Sequence, residues 1–311
     1  MGISAYLKEI GRGPHGARPL SRLQAADMLG QILDGQCTDL EVGAFCIAMR
    51  IKGETAEEMA GFLDAVDARI NKIPESQSPV VVLPSYNGAR KLPVLTPLLG
   101  LLLARQGLPV LLHGTATENG RVPAWDVLLA MGIPANAPTD PIANGSLHWV
   151  TTESLLPGLK RLLDTRRTIG LRNPAHSLVK LMNPCAEPSL VVGSYTHPEY
   201  AISMAATFRL TNTPALLLRG TEGEPVADAR RMPRMELIMD GQAQTVQEAQ
   251  AGSLANLPDL PAMDAMSTAR YVQSVLDGQA PIPEPIARQV EHIARACHAL
   301  ASASARPGPG A

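Results

Sequence analysis

Basic side chains that could bind phosphate are concentrated in a few short stretches of this chain. The first stretch lies near the N-terminus, where Lys8 and Arg12 stand among several glycines and Glu9 is the one neighbouring acid. The glycines predict an extended segment, and lysine and arginine on such a segment can neutralise a phosphate backbone. The alternative interpretation is an ordinary solvated surface.

A second basic pair, Arg90 and Lys91, ends the sequence SYNGARK, which directly follows the strand-like run VVVLP. Loops that follow the strands of an open α/β sheet bind ligands, so this position suits an anion. A phosphate cradle, however, needs several glycines so that consecutive backbone N–H groups can approach the anion, and this loop contains only Gly88. The sequence therefore leaves two roles open for Arg90 and Lys91: their side chains face a bound anion, or they are simply exposed to solvent.

The longest basic stretch runs from residue 160 to residue 180, and Asp164 is its single acid. Such a strong local positive charge indicates a phosphate-binding surface, and a basic helix face in solvent is the alternative. The lysines and arginines of this stretch are Lys160, Arg161, Arg166, Arg167, Arg172 and Lys180.

The composition argues against several other classes of protein. The net charge of −2 gives no global attraction to nucleic acid or membranes, so any basic surface must be local. The four cysteines have no CxxC spacing, and no serine or cysteine stands in a nucleophile elbow. Neither a secretory signal nor an apolar span long enough to cross a bilayer is recognised, which predicts a cytoplasmic protein without membrane contact.

Two patterns of secondary structure must position the basic stretches. Residues 1–73 carry apolar residues at helical spacing, bounded by the caps Ser21, Asp39 and Thr55, and predict a small helical domain. From residue 79 to residue 300 short apolar strands alternate with helices. This alternation predicts an α/β domain whose mainly parallel sheet is flanked by helices. The small, Pro/Gly-rich tail, residues 301–311, is predicted to be disordered.

Several motifs occur in the order found in the anthranilate phosphoribosyltransferases, and the chain resembles that family from about residue 5 to residue 300. LEVGAFCIAMRIKGETAEEMAGFLDA is similar to the family's A-x-x-x-A-x-R-x-K-G-x-T-x-x-E pattern. LLHGTATENGRVPAWDVLLAMG lies where the enzymes carry K-H-G-N-R, and TIGLRNPAHSLVKLMNP resembles their L-G-x-R-T-x-F-N-x-L-G-P-L-x-N-P segment. The resemblance implies the fold of these enzymes. It also implies a homodimer formed through residues 1–73 and the helices near residues 171–181.

The residues that would carry the family's chemistry are mostly replaced. The enzymes hold the diphosphate of phosphoribosyl pyrophosphate with G-T-G-G-D, where residues 84–88 of this chain read PSYNG. Pro225 and Val226 stand in place of the acidic pair that carries magnesium, with Glu222 and Glu224 nearby. A diphosphate needs dense N–H donors and a divalent cation, so ordinary phosphoribosyl transfer is not expected, and no cofactor or metal is predicted. The enzymes' substrate-facing arginine and one asparagine have counterparts here, Arg172 and Asn183.

The sequence is more similar to the YbiB-type branch of the family. The shared motifs are PSYNGARK followed by LTPLL, the N-terminal KEIGRG, and the stretches THPEY and RGTEGE. That branch is associated with nucleic-acid binding, so the resemblance implies a homodimer that binds DNA or RNA without sequence specificity. The residues predicted to contact phosphates are Lys8, Arg12, Arg90, Lys91, Arg166, Arg167, Arg172 and Lys180. The alternative is a divergent glycosyltransferase with a nucleotide-like substrate and a rearranged metal site at Glu222 and Glu224.

Overall fold

The computed structural model describes residues 2–13, 15–186, 188–251 and 258–304. Its helices are α1 (Ser4–Ile10), α2 (Arg22–Leu33), α3 (Asp39–Lys52), α4 (Ala56–Asp67), α5 (Thr96–Arg105), α6 (Ala124–Ala130), α7 (Thr152–Leu155), α8 (Pro157–Ile169), α9 (Ala175–Leu178), α10 (Pro198–Leu210), α11 (Ala265–Leu276) and α12 (Glu284–Ser304). Its strands are β1 (Val80–Pro84), β2 (Val110–Gly114), β3 (Leu147–Thr151), β4 (Ser189–Tyr195), β5 (Ala215–Arg219), β6 (Met235–Met239) and β7 (Gln242–Gln247). A short 3-10 turn, Thr221–Gly223, follows β5.

The N-terminal helical lobe consists of α1 to α4, and its helix starts are fixed by the local sequence. Helices α2, α3 and α4 each begin with a capping box, in which an N-cap hydroxyl and a side chain three residues later satisfy open backbone N–H groups. The cap of α3 is Thr38 and not Asp39, the residue predicted from the sequence; Asp39 is the first residue of the helix. The three boxes are Ser21 with Gln24, Thr38 with Glu41, and Thr55 with Glu58.

The basic N-terminal stretch begins with a helix and not with the extended segment that was predicted. Ile3 and Ile10, at the two ends of α1, are buried, and α1 packs against α3. This tertiary packing stabilises a helix of seven residues, which is too short to be stable alone. Lys8 lies exposed on α1, and Arg12 follows the helix.

The seven strands form one sheet in the order β3-β2-β1-β4-β5-β6-β7. Strands β1 to β5 pair in parallel, whereas β6 and β7 add an antiparallel edge that the sequence analysis did not identify. From β1 the chain first builds the sheet outwards to β2 and β3 and then returns to place β4 on the other side of β1. The carboxyl ends of β1 and β4 therefore form a topological switch point, where open α/β sheets bind ligands.

Both faces of the sheet are covered, as near-continuous apolar strands require. One hydrophobic core extends from Phe45 and Phe62 of the helical lobe to Phe208 of α10 on one sheet face. The opposite face packs against α5, α6, α11 and α12. This architecture confirms the predicted α/β fold with a helical N-terminal part and a mainly parallel sheet.

Two further predictions concern the C-terminal tail and membrane-spanning helices. Helix α12 continues to Ser304, so the first four residues of the predicted disordered tail are helical, and residues 305–311 lie outside the described residues. Within the described ranges no helix combines the length and the hydropathy needed to cross a bilayer.

Candidate functional site

The loop after β1, which contains SYNGARK, binds an anion, and that anion is a carboxylate of the chain itself. The backbone N–H groups of Asn87 and Gly88 each donate to Oε1 of Glu224 over 2.8 Å. The hydroxyl of Thr96 donates to Oε2 over 3.0 Å, and the hydroxyl of Ser85 donates to the same oxygen. Glu224 is buried, so its charge is stabilised by four donors and not by water.

A second carboxylate, that of Glu222, occupies the next part of the same loop. It accepts hydrogen bonds from the backbone N–H groups of Arg90 over 2.7 Å, Lys91 over 3.0 Å and Leu92 over 3.3 Å. Arg90 and Lys91 therefore direct their backbones, not their side chains, at an acid. Their side chains are exposed, and among the described residues neither has an acidic partner.

Lys180 is turned into the protein behind these two glutamates. Its ammonium group donates to the carbonyl of Gly223 over 2.8 Å, and Ser194 donates to the same oxygen. Burial, together with the charges of nearby arginines, lowers the pKa of Lys180 to about 8. Because Lys180 is buried, its position does not suit the direct phosphate contact that the sequence predicted.

Three arginines converge on one glutamate at the same edge of the sheet. Glu118, in the loop after β2, forms ion pairs with Arg121 and Arg166 at 2.7 Å and with Arg172 at 2.5 Å. Burial would raise the pKa of Glu118, but the hydrogen bonds from Arg166 and Arg172 lower it to about 2. We call these four residues the arginine cluster; three positive charges and one negative charge leave it a net charge of +2. Arg121 also donates to the carbonyl of Asn87 over 3.3 Å, which connects the cluster to the β1 loop.

The cluster contains two residues that were predicted from the sequence and two, Arg121 and Glu118, that were not. Arg166 and Arg172 are brought together as expected. Arg121 was overlooked, although its spacing of three residues from Glu118, in a loop after a parallel strand, was a usable signal. Arg167 lies apart from the cluster, is exposed and approaches Asp164 at 3.4 Å.

The remaining predicted residues, Lys8 and Arg12, lie in and just after α1 in the helical lobe. Arg12 forms an ion pair with Glu9 at 2.7 Å and donates to the carbonyl of Lys8 over 3.1 Å. Within the described parts of the chain, no hydrogen bond or ion pair connects either residue to the arginine cluster. Arg219, at the end of β5, is a further exposed cation without an acidic partner among the described residues.

A cleft of about 480 Å³ lies between the helical lobe and the α/β part of the molecule, beside the core that they share. It is lined from the lobe by residues such as Met49 and Met59 and from the α/β part by Arg172, His176 and Tyr195, among others. Nε2 of His176 is buried and has no hydrogen-bond partner in the described structure. Burial and the charge of Arg172 lower the pKa of His176 to about 4, so the imidazole is neutral at pH 7.

His113 forms a hydrogen bond inside the protein, and so do Glu222 and Glu224, the two residues of the alternative metal site. The buried imidazole of His113 has its Nδ1 at 2.9 Å from the hydroxyl of Tyr86, and burial lowers the pKa of His113 to about 3. Glu222 and Glu224 bind N–H and O–H donors, as described above. In the described ranges there is no group of three or more His, Cys, Asp and Glu side chains that could hold a metal ion.

Comparison with known proteins agrees with this architecture. A family model described as the helical bundle domain of a glycosyl transferase family matches residues 4–69. YbiB of Escherichia coli K12, an uncharacterized protein, is 38% identical over 298 residues, which are 93% of this chain and 92% of YbiB. The anthranilate phosphoribosyltransferase of Methanopyrus kandleri is 26% identical over 278 residues, 86% of this chain and 82% of the enzyme.

Solved structures of the same enzyme have the same fold. The anthranilate phosphoribosyltransferase of Thermus thermophilus superposes with a TM-score of 0.72 at 19% identity, over 97% of this chain and 90% of the enzyme. The enzyme of Saccharomyces cerevisiae in complex with PRPP and Mg gives a TM-score of 0.67 at 16% identity, over 97% of this chain and 89% of that one.

Proposed function

We propose that this chain, which belongs to the glycosyl transferase family that includes YbiB and the anthranilate phosphoribosyltransferases, binds nucleic acid and does not transfer phosphoribosyl groups. The observation that carries the proposal is that backbone donors and cationic side chains at the carboxyl edge of the sheet differ in whether they have acidic partners. The backbone donors of the β1 loop are used by Glu222 and Glu224, while the exposed cations Arg90 and Lys91 on this loop and Arg219 at the end of β5 have no acidic partners among the described residues.

The filled loop argues against phosphoribosyl transfer. A diphosphate ligand requires N–H donors that are free to bind it and a divalent cation that offsets its charge. Here the donors of the β1 loop bind carboxylates, and these carboxylates would repel a diphosphate at the same place.

The surrounding cations suit a longer polyanion. Arg90 and Lys91 lie on the β1 loop, Arg219 at the end of β5, and the arginine cluster beside them, so several phosphates could be contacted along one edge. With an aromatic content of 3%, base stacking contributes little, and binding through phosphates alone is tolerant of sequence. The proposed phosphate contacts are Lys8, Arg12, Arg90, Lys91, Arg166, Arg167 and Arg172, with Arg121 and Arg219 added from the structure.

We further propose that the chain is a homodimer, as predicted. Helix α3 exposes an apolar stripe at helical spacing, Leu40, Ala44, Ile47 and Ile51, and Leu23 of α2 is exposed as well. An unpartnered apolar stripe of this kind on a helix is typical of a surface that a second copy covers. The dimer would present two basic edges. A cytoplasmic location remains the prediction from the sequence.

Salt-dependent DNA binding tests the proposal. Fluorescence anisotropy with random-sequence single- and double-stranded DNA should show log K falling linearly with log salt, by about 0.9 per phosphate contact on a duplex. The variant R90A/K91A should lower this slope by about 1 to 2 and weaken binding to unrelated sequences equally. Because these side chains have no acidic partners in the described structure, the fold should be unaffected.

The matched control is R230A/R231A. Both of these arginines form ion pairs with Asp228, at 2.9 Å and 3.2 Å, so one of their two charges is offset locally and both side chains are held by the carboxylate. Their removal should therefore change the slope less. The nucleic-acid proposal fails if the parent protein does not bind DNA at low salt. The placement of the interface fails if R230A/R231A loses affinity and R90A/K91A does not.

The cleft between lobe and sheet favours a second candidate, a divergent transferase. Its volume suits a small molecule, and Arg172 and His176 line it. This candidate predicts turnover of a phosphorylated sugar or nucleotide. With anthranilate, phosphoribosyl pyrophosphate and magnesium we expect turnover below about 0.1 s⁻¹, a tenth of the low end of typical enzyme rates. A faster reaction would favour the transferase.

A further inference from the structure

We propose that Glu222 and Glu224 are built-in substitutes for the phosphates of a ligand. Their carboxylates occupy an anion site at the switch point of the sheet and exclude small phosphates and diphosphates from it. The exclusion of small phosphates does not depend on nucleic-acid binding, whereas the selection of a large polyanion rests on the function proposed above.

The donors around the two glutamates are arranged like those of an anion-binding site. Two consecutive N–H groups, those of Asn87 and Gly88, converge on a single oxygen of Glu224 at the same distance, 2.8 Å. Three further consecutive N–H groups, those of residues 90–92, converge on Glu222. Successive backbone N–H groups that point into one concavity are the usual cradle for phosphate groups.

No lysine or arginine side chain in the described structure lies within ion-pair distance of either glutamate. The direct partners of the carboxylates are backbone and hydroxyl donors, and Lys180 and Arg230 attract Glu224 and Glu222 from a longer distance. Thr96, which donates to Glu224, is also the first residue of α5. The carboxylate therefore lies at the N-terminal end of a ten-residue helix, where the helix dipole favours a negative charge. Salt bridges would be expected if the glutamates served only to neutralise basic residues, and none is present in the ranges described.

The segment that carries the two glutamates contains two successive residues with positive φ, and this turn places both carboxylates in the cradle. Glu222 has a φ of 53°, in the left-handed region that residues with a Cβ adopt rarely. Gly223 has a φ of 86°, and a Cβ there would lie 2.0 Å from the side-chain nitrogen of Asn87. A strained turn persists only where its surroundings hold it, and here the hydrogen bonds of the two carboxylates do so.

The consequence is selection between kinds of phosphate ligand. A small phosphate or diphosphate must enter the cradle to be bound, and two negative charges already stand there. A large polyanion can instead contact Arg90 and Lys91 from outside, because the loop backbone faces inwards and the side chains face solvent. Glu222 and Glu224 are therefore specificity-determining residues of this edge.

The test is to empty the cradle and offer it inorganic pyrophosphate. We expect pyrophosphate binding by the parent protein to lie below the detection limit of isothermal titration calorimetry, whereas E222A and E222A/E224A should bind pyrophosphate at least about tenfold more tightly than that limit. Pyrophosphate should also restore part of the melting temperature that each variant loses. E224A carries the risk of misfolding, since four buried donors lose their partner. E222A is therefore the decisive variant for this proposal, because the three N–H groups that Glu222 binds, those of residues 90–92, are partly open to solvent.

The matched control is E58A in the helical lobe. Glu58 is fully buried and accepts hydrogen bonds from the backbone of Leu20 at 2.9 Å and Thr55 at 3.0 Å. It also forms an ion pair with Lys52 at 2.6 Å, and it does not lie at a strand end. E58A should lose stability without any recovery on addition of pyrophosphate. The proposal is overturned if E222A binds pyrophosphate no more tightly than the parent, or if E58A is rescued to the same extent.

Discussion

At the scale of single residues, Glu118 sets the charge that the arginine cluster can offer. It is shared by Arg121, Arg166 and Arg172, and its low pKa keeps it ionised throughout the physiological range. The carboxylate holds three mutually repelling guanidinium groups together, and it also neutralises one of them. Glu118 therefore positions the cluster and limits its attraction for phosphate at the same time.

Replacing Glu118 by glutamine separates these two effects. E118Q keeps the shape of the side chain and one of its two acceptor oxygens, and it adds one net positive charge to the cluster. We expect DNA affinity to rise by roughly two- to fivefold, the range given by one additional charge at a solvent-accessible site. Fluorescence anisotropy at fixed salt measures this change.

The control for E118Q is E236Q, since Glu236 forms a similar ion pair with Arg234 on the antiparallel edge of the sheet. E236Q should change affinity little. Weaker DNA binding by E118Q, with an unchanged melting temperature, would show that the cluster does not contact phosphates in the way proposed.

At the scale of elements, helix α3 carries the apolar stripe proposed as the dimer interface. Leu40 is 83% exposed and Ile51 is 64% exposed, and both lie on the same helix face. The variant L40E/I51E should convert a dimer into a monomer, because burying two unpaired carboxylates at an interface is strongly unfavourable. Light scattering at micromolar concentration measures the mass directly.

A similar substitution elsewhere provides the comparison for the dimer prediction. Ile202 of α10 is 77% exposed and does not belong to the stripe, so I202E should remain dimeric. A monomeric parent protein would contradict the prediction, and so would dissociation of I202E alone.

At the scale of the whole molecule, two buried histidines make stability depend on pH. Burial lowers the pKa of His113 to about 3 and that of His176 to about 4, from an ordinary value of 6.5. Below about pH 6.5 the unfolded chain binds protons at these imidazoles and the folded chain does not. The free energy of unfolding should therefore fall as the pH drops from about 6.5 towards 4, by at most about 1.4 kcal/mol per pH unit for each imidazole.

Urea denaturation at a series of pH values measures this slope. H176Q should reduce it, because one of the two buried imidazoles is removed, whereas substitution of the exposed His298 should leave it unchanged. An identical slope for the parent and H176Q would show that His176 is protonated in the folded state at higher pH than its burial indicates.

The elements of the fold were largely determined by local sequence. Capping residues such as Ser21 and Thr55 satisfy the N–H groups of their own helices, and continuous apolar runs such as VVVLP need a sheet covered on both faces. Helix α1 and the strands β6 and β7 were not predicted, because their local sequence patterns of apolar residues are weak. Helix α1 is only seven residues long, and no residue of β7 is buried.

The sequence by itself determined the fold class, the basic stretches and the loss of the glycine-rich cradle, since each depends on neighbouring residues. Only the tertiary structure decided what fills the cradle, because Asn87 and Glu224 are 137 residues apart and meet only when β1, β4 and β5 pair. It also decided which cations share a site. Arg166 and Arg167 are neighbours in sequence but point about 100° apart on α8, so packing turns one to Glu118 and leaves the other in solvent.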